Sequence, residues 1–412
     1  MVTGSIGHEA VDNAILALVS GDDATRANPY PLYAQMRAHP VHRSLLGVWF
    51  VTSYTGCDRV LRHPAFRRNH GDALQRRMAL QNAEGRRWFE HQTRWMLWLD
   101  PPDHGRIRSL VSRAFTPRYV QQLRGRVELL VSELLDGMQG AGEVDFVDAF
   151  ALPLPITIIC DMLGIPAGDR RSFRQWTMQS AGTLQPLPGE AVQDAADAAT
   201  VALEAYFTEL VAARRDTPAD DLLTALIAAE EDGVRLSHAE LIANAALLLA
   251  AGFETTTNLL GNGLLALLRN PQQWQRLVAD PAGLAANATE ELLRYDSSVQ
   301  LAAPRVASED VEVDGTVLAE GEIVSAVVGA GNRDPLRFDR PDQLDLARPD
   351  PSPLSFGAGP HFCLGAALAR MEASIALEAL ARRLPHLELL DAEPPWLSSQ
   401  NIHGVQRLLV RA

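Results

Sequence analysis

The chain has 412 residues, 47% of them apolar, so it can bury a sizeable core without disulfides or a structural metal. A net charge of −14 argues against a general binder of nucleic acid or anionic membranes, and the cysteines Cys57, Cys160 and Cys363 are too sparse for a disulfide framework. No basic-then-apolar leader opens the sequence, and its longest apolar stretch, Leu241 to Phe253, falls short of the ~20 residues that span a bilayer.

These features predict a monomeric cytoplasmic protein with no nucleic-acid or membrane partner. No Pro/Ser/Gly-rich linker or charge block divides the chain, so a single domain over residues 1–412 is expected. In chain order, Gly47 to Ser53 carries a short strand pattern of valine and aromatics. Thr116-Pro117 opens a helical pattern towards Gln139, with threonine as cap and proline in the first turn. Ala191 to Arg215 is an alanine-rich helix. Ser237 and Glu240 form a capping box that launches an apolar helix to Arg269, where Asn270-Pro271 stops it. A helix is also predicted over Pro281 to Tyr295. Val311 to Val328 holds an Asp314-Gly315 hairpin turn between alternating valines. The last long helix runs from Leu364 to Leu384, and the tail from Asn401 to Val410 reads as extended. The fold class is mainly α with small β-sheets.

The segment Phe356 to Gly365 sets Cys363 between a glycine-loosened loop and a helix. A thiolate is stabilised there by unpaired backbone N–H groups and the helix dipole. Gly357, Gly359 and Gly365 permit tight turning and close approach, and Phe356 and Phe362 offer an apolar shell. Read from its residues, this is a site for a soft metal or thiolate chemistry, with a buried structural cysteine as the plainer alternative. In the long helix, Gly252 and the run Thr255-Thr256-Thr257 are poor helix formers. A threonine hydroxyl bonding back to a carbonyl would bend the helix and open a groove, where Glu254 and a hydroxyl can pass protons. Glu291 and Arg294 lie three apart on one helix face, a pattern that alone reads as a surface ion pair worth under about 1 kcal/mol. His104 and Arg108, four apart, reach one partner from a single helix.

The Phe-Gly-x-Gly-x-His-x-Cys-Leu-Gly run resembles the haem-ligand loop of the cytochromes P450. Ala-Gly-x-Glu-Thr at 251–255, Glu-x-x-Arg at 291–294 and the His104 helix resemble further motifs of that family. The resemblance covers nearly the whole chain and implies the cytochrome P450 fold, with the long central helix over haem b (iron protoporphyrin IX). It implies Cys363 as the iron ligand, with Phe356, Gly357, Gly365, Ala251 and Gly252 against the cofactor. His104, Arg108, Arg305 and His361 match propionate-binding positions. Thr255 is implied to hydrogen-bond dioxygen and Glu254 to relay protons from solvent, while Glu291 and Arg294 brace the loop before the cysteine. Matching registers place Leu247, Ala250, Leu301 and Ile402 in the substrate pocket. The segment from His70 to Trp98, with Trp88, Phe89, Trp95 and Trp98, corresponds to a variable substrate-facing loop, although an aromatic cluster is more often core packing. Gly182 to Gly189 is read as a lid hinge.

The implied activity is a monooxygenase that inserts one oxygen atom of O2 into a C–H or C=C bond of a hydrophobic small molecule. A natural product such as a macrolide, polyketide or peptide is the expected class, free or carrier-protein-bound. A steroid, terpene or fatty-acid hydroxylase and an aryl-coupling or desaturating enzyme are the alternatives, and a haem-binding sensor is the non-enzymatic one. No nucleotide-binding glycine loop or cysteine cluster is fused, so electrons are expected from NAD(P)H through a ferredoxin or flavodoxin and its reductase. Arg106 and Arg113 are the expected basic docking patch.

Overall fold

Local signals in the sequence set most of the helices in the computed structural model, which describes residues 7–185, 188–231, 233–399 and 401–412. The chain forms two compact units. One comprises the chain up to His70, Leu130–Ala151 and Thr255–Ala412, and the other Gly71–Leu129 and Leu152–Glu254. Among the described residues, no helix is long and apolar enough to cross a membrane.

The first unit holds the larger sheets. Its largest has five strands in the order Val41–Arg43, Val48–Val51, Ile323–Ala326, Arg305–Ala307 and Phe66–Arg67. Pairing is antiparallel except between Val48–Val51 and Ile323–Ala326, which run parallel with Ile323 opposite Val48. The Val311–Val313 and Thr316–Leu318 hairpin turns on Asp314 and Gly315, both at positive φ, as the Asp-Gly signal predicts. A three-stranded sheet joins Glu388–Leu389, Leu409–Arg411 and Glu143–Asp145. Valines and leucines from the large sheet and the hairpin pack with Cys57, Val60 and Leu61 of helix Tyr54–Arg62. A neighbouring cluster takes Val11 and Ile15 of helix His8–Ser20, Tyr33 and Met36 of helix Tyr30–Met36, and Leu301.

The second unit is helical apart from a short antiparallel pair of strands, Glu230–Glu231 and Val234–Arg235. Helix Arg87–Gln92 is fastened to helix Glu190–Asp216 by polar contacts that a propensity reading cannot see. His91 Nδ1 lies 2.9 Å from Glu204 Oε1, and the Trp88 N–H donates to Asp197 Oδ1 at 2.9 Å. Trp88, Phe89, Trp95 and Trp98 are all buried, with Trp88 and Phe89 packed against Ala83 and Ala196. The expected hinge, Gly182 to Gly189, includes residues 186 and 187, which lie outside the described residues.

The 32-residue helix His238–Arg269 belongs to both units. Its capping box is reciprocal: the Glu240 N–H donates to Ser237 Oγ at 3.3 Å, and the Ser237 N–H to Glu240 Oε2 at 2.8 Å. At ~1.5 Å per residue it is about 48 Å long, and it remains helical through its glycine and threonines. Helix Pro281–Tyr295 has the predicted bounds, and the last long helix is Ala366–Arg383. The expected helix from Thr116 to Gln139 is instead two, Pro117–Gln122 and Arg124–Met138. They part at Leu123.

Candidate functional site

Cys363 sits on an exposed stretch of loop, and three backbone hydrogen bonds shape that loop. The Cys363 N–H donates to the Phe356 carbonyl at 2.9 Å, Phe362 N–H to Gly359 O at 3.0 Å, and Gly357 N–H to Leu354 O at 2.7 Å. Gly357 and Gly359 have φ near +70°, which side chains disfavour. Gly359 also presses on other backbone: a Cβ there would stand 2.7 Å from Leu61 O and 2.8 Å from Arg62 Cα. The loop is thereby seated on the end of helix Tyr54–Arg62, with Ala358 buried beside Val60 and Leu61. After the cysteine, Gly365 caps helix Ala366–Arg383, so the sulfur stands at the positive end of a helix dipole. A Cβ on Gly365 would come 4.0 Å from the sulfur, and glycine keeps that space clear. Phe356 is covered by the Arg370 guanidinium, 4.4 Å from the ring centre, which is ion-paired with Glu290.

The segment leading to this loop hangs on helix Pro281–Tyr295. Glu291 and Arg294 are both fully buried and paired through two bonds, Nε to Oε2 at 2.7 Å and Nη2 to Oε1 at 2.8 Å. A surface ion pair is thus the wrong picture of this motif. A third member, Arg348, donates from Nε to Glu291 Oε2 at 3.0 Å, and the Asp345 N–H donates to Oε1 at 2.9 Å. Arg294 also reaches the carbonyls of Asn332 and Pro341 at 3.0 and 2.7 Å. Asn332 carries the support onward: its amide donates to Ser297 Oγ and Ser355 Oγ, and its oxygen accepts from the Leu354 N–H at 2.7 Å. Ser355 directly precedes Phe356. Arg348, Asn332 and Ser355 carry no local sequence signal, since their partners are far away along the chain.

The middle of helix His238–Arg269 departs from the burial around it. Leu247, Ala250 and Phe253 are buried, but Ala251 is exposed and Gly252, Glu254 and Thr255 are half-buried. A Cβ at Gly252 would lie 3.2 Å from Ile159 Cγ1, so glycine is needed for that contact. The Glu254 carboxyl has no ion pair among the described residues, and apolar surroundings push its pKa up to about 7. The Thr255 carbonyl accepts from Ser298 Oγ at 2.8 Å. Ser298 begins a segment that pairs with the tail, where Val299 bridges Ile402 and the His403 N–H donates to Ser298 O at 2.8 Å.

Of the basic residues, Arg305 is on strand Arg305–Ala307, buried, with Nη1 donating to Phe66 O at 3.2 Å. His361 is half-buried in the short turn Gly359–His361. His104 is buried on helix Asp103–Ala114, with Arg108 half-buried one turn later. Arg106, half-buried on the same helix, is ion-paired with Glu240, with Nη1 to Oε2 at 3.3 Å. Leu301 is buried in the cluster with Val11, Ile15 and Tyr33.

The sequence matches the family model described as Cytochrome P450 over residues 70–280 and 284–402. It is 43% identical over 405 residues to "Cytochrome P450 107B1" of Saccharopolyspora erythraea, covering 96% of this chain and 97% of that protein. It is 37% identical over 397 residues to "Polyketide biosynthesis cytochrome P450 PksS" of Bacillus subtilis, covering 93% of this chain and 95% of the relative. Among solved structures, P450BioI in complex with a hexadec-9Z-enoic acid ligated acyl carrier protein superposes with a TM-score of 0.89 at 32% identity. That match covers 95% of this chain and all of the other. Likeness that runs the length of the chain in both sequence and fold leaves one assignment: the chain belongs to the cytochrome P450 family and is a cytochrome P450 monooxygenase.

Proposed function

We propose that the chain works as one domain that binds haem through Cys363 and oxidises a polyketide-like natural product in the cytoplasm. The residues present fit that cofactor. A soft sulfur donor is exposed at a helix N-terminus, with Gly365 keeping the space beside it open. The one exposed position in the middle of an otherwise buried helix is Ala251, next to Gly252, where neither residue offers bulk that would exclude a flat ligand. Cys363 would ligate the iron, and Phe356, Gly357, Gly365, Ala251 and Gly252 would lie against the ring. His104, Arg108, Arg305 and His361 would hold its two carboxylates, which need basic donors once taken out of water.

Bound haem supplies the activation of dioxygen. The chain's own contribution is the control of protons. Glu254, with a pKa of about 7, is poised to take a proton from solvent and release it near neutral pH. Thr255 Oγ1 is the adjacent hydroxyl that both accepts and donates. Its carbonyl is held by Ser298, which fixes this turn against the segment opposite Ile402. Leu247, Ala250 and Ile402 supply apolar walls for the substrate.

The Glu254 carboxyl, isolated in apolar surroundings on the central helix, carries the reading as an oxidising enzyme, because a haem sensor has no need of a proton donor there. The name of the Bacillus relative supports a polyketide-class substrate, and the acyl carrier protein bound to P450BioI supports one presented on a carrier. Electrons would come from NAD(P)H through a ferredoxin or flavodoxin and its reductase.

The test is to titrate the purified protein with polyketides, peptides, steroids and fatty acids, free and carrier-bound, following the haem spin state. Turnover with ferredoxin, reductase and NADPH under labelled dioxygen then follows. Polyketide binders that gain one labelled oxygen atom are expected. Binding and oxidation confined to steroids or fatty acids would refute the substrate class, and binding without oxidation under any donor would refute the enzymatic reading.

A further inference from the structure

A cavity in the first unit gathers polar groups that the haem-binding reading does not use. About 20 Å³ of it is open to the centre of a water molecule, and Arg26, Tyr33, Gln300 and His403 are among its lining residues. Each of the four contributes a buried polar atom without a protein hydrogen-bond partner: Arg26 Nε, Tyr33 Oη, Gln300 Oε1 and His403 Nε2. Native interiors leave few such atoms, so four around one cavity call for a common partner.

The side chains are held in place by other contacts. Gln300 Nε2 donates to Ser297 O at 2.7 Å and to Tyr30 Oη at 3.4 Å, which identifies Oε1 as the acceptor left over. Gly329 makes room for that amide, since a Cβ there would stand 1.9 Å from Oε1. The His403 ring stacks on Trp396 with centroids 4.2 Å apart, and its Nε2 lies 3.2 Å from Asp296 Oδ1, so Arg26, Tyr33 and Gln300 hold the atoms in greatest need of a partner. Tyr33 is fully buried among Val11, Ile15 and Leu301.

These groups select the chemistry of the occupant. The Gln300 oxygen and the Asp296 carboxylate oppose an anion, and the Arg26 guanidinium opposes a cation. A neutral molecule that both donates and accepts fits all of them. A water needs about 10–15 Å³ on this measure, so the cavity has room for one.

We infer that the cavity is a structural water site in which a single water accepts from Arg26 Nε–H or Tyr33 O–H and donates to Gln300 Oε1. The water would bridge the Arg26–Tyr33 segment to Gln300, whose N–H already holds the tail through Asn401 O at 2.9 Å. It thereby supports the tail next to Ile402 from the side of the N-terminal helices.

Two crystal structures of the haem-loaded protein test this, one native and one soaked in bromide. One ordered water within hydrogen-bond distance of Tyr33 Oη and Gln300 Oε1, unchanged by the soak, is the expected result. A bromide anomalous peak at the site, no density there, or direct pairing of the four side chains with one another would overturn it. In solution, radiolytic hydroxyl-radical footprinting should oxidise Tyr33 several-fold faster than Phe173, which is also fully buried. Equal protection of the two rings would overturn it as well.

Discussion

Replacing Glu291 with alanine should cripple folding and haem retention without touching any group placed in the chemistry. Glu291 is fully buried and accepts from Arg294 Nε and Nη2, from Arg348 Nε and from the Asp345 N–H. Removing the carboxylate strands two guanidinium groups in a low-dielectric interior, and breaking one buried pair in this way costs about 3–5 kcal/mol. The orphaned Asp345 N–H adds about 1–3 kcal/mol of unmet hydrogen bonding. These terms are not additive, yet either is large against a typical total stability of about 5–15 kcal/mol. The damage should travel by a defined route, from Arg294 to Asn332 and from Asn332 to Leu354 and Ser355, and so to the loop that ends at Cys363. Urea unfolding and haem absorbance of the purified variant measure both effects. A Glu291→Ala protein with an unchanged urea midpoint and full haem content would refute the bracing role.

Gly359→Ala should lower thermal stability and haem content more than Gly357→Ala. Both positions have positive φ, costing about 1–2 kcal/mol for a side chain, but only Gly359 presses on the Leu61–Arg62 backbone, so equal losses would contradict the seating of the loop. Glu254→Gln should leave substrate-induced spectral shifts intact while product formation falls about 10²-fold. Unchanged turnover would remove the carboxyl from the proton path. Glu372, buried on helix Ala366–Arg383, has its pKa raised by burial from 4.5 to about 8. The unfolded chain releases this proton first, so the wild-type protein loses stability as pH rises between those values. Glu372→Gln abolishes that loss and should melt higher than wild type at pH 8 but not at pH 4.5. The same difference at both pH values would show that the carboxyl does not titrate in the fold.

What could be read from the sequence was local. The capping box at Ser237 and Glu240, the Asp314-Gly315 turn and the proline that opens helix Pro281–Tyr295 each act within a few residues, and each occurs as predicted. The cysteine loop was legible for the same reason, because its glycines, histidine and cysteine form one continuous run. The partners that hold these pieces were not legible. Arg348 meets Glu291 across 57 residues, Ser298 meets Thr255 across 43, and Glu240 neutralises Arg106 across 134.

Everything proposed for the chemistry depends on sulfur at Cys363 reaching iron. The direct measurement is the absorption spectrum of the purified protein, reduced and exposed to carbon monoxide, beside that of Cys363→His. Wild type should show the far-red-shifted Soret band of thiolate ligation, and the variant should lose it while keeping its fold. An imidazole-type Soret band from folded wild-type protein, or no haem in it at all, would contradict the account.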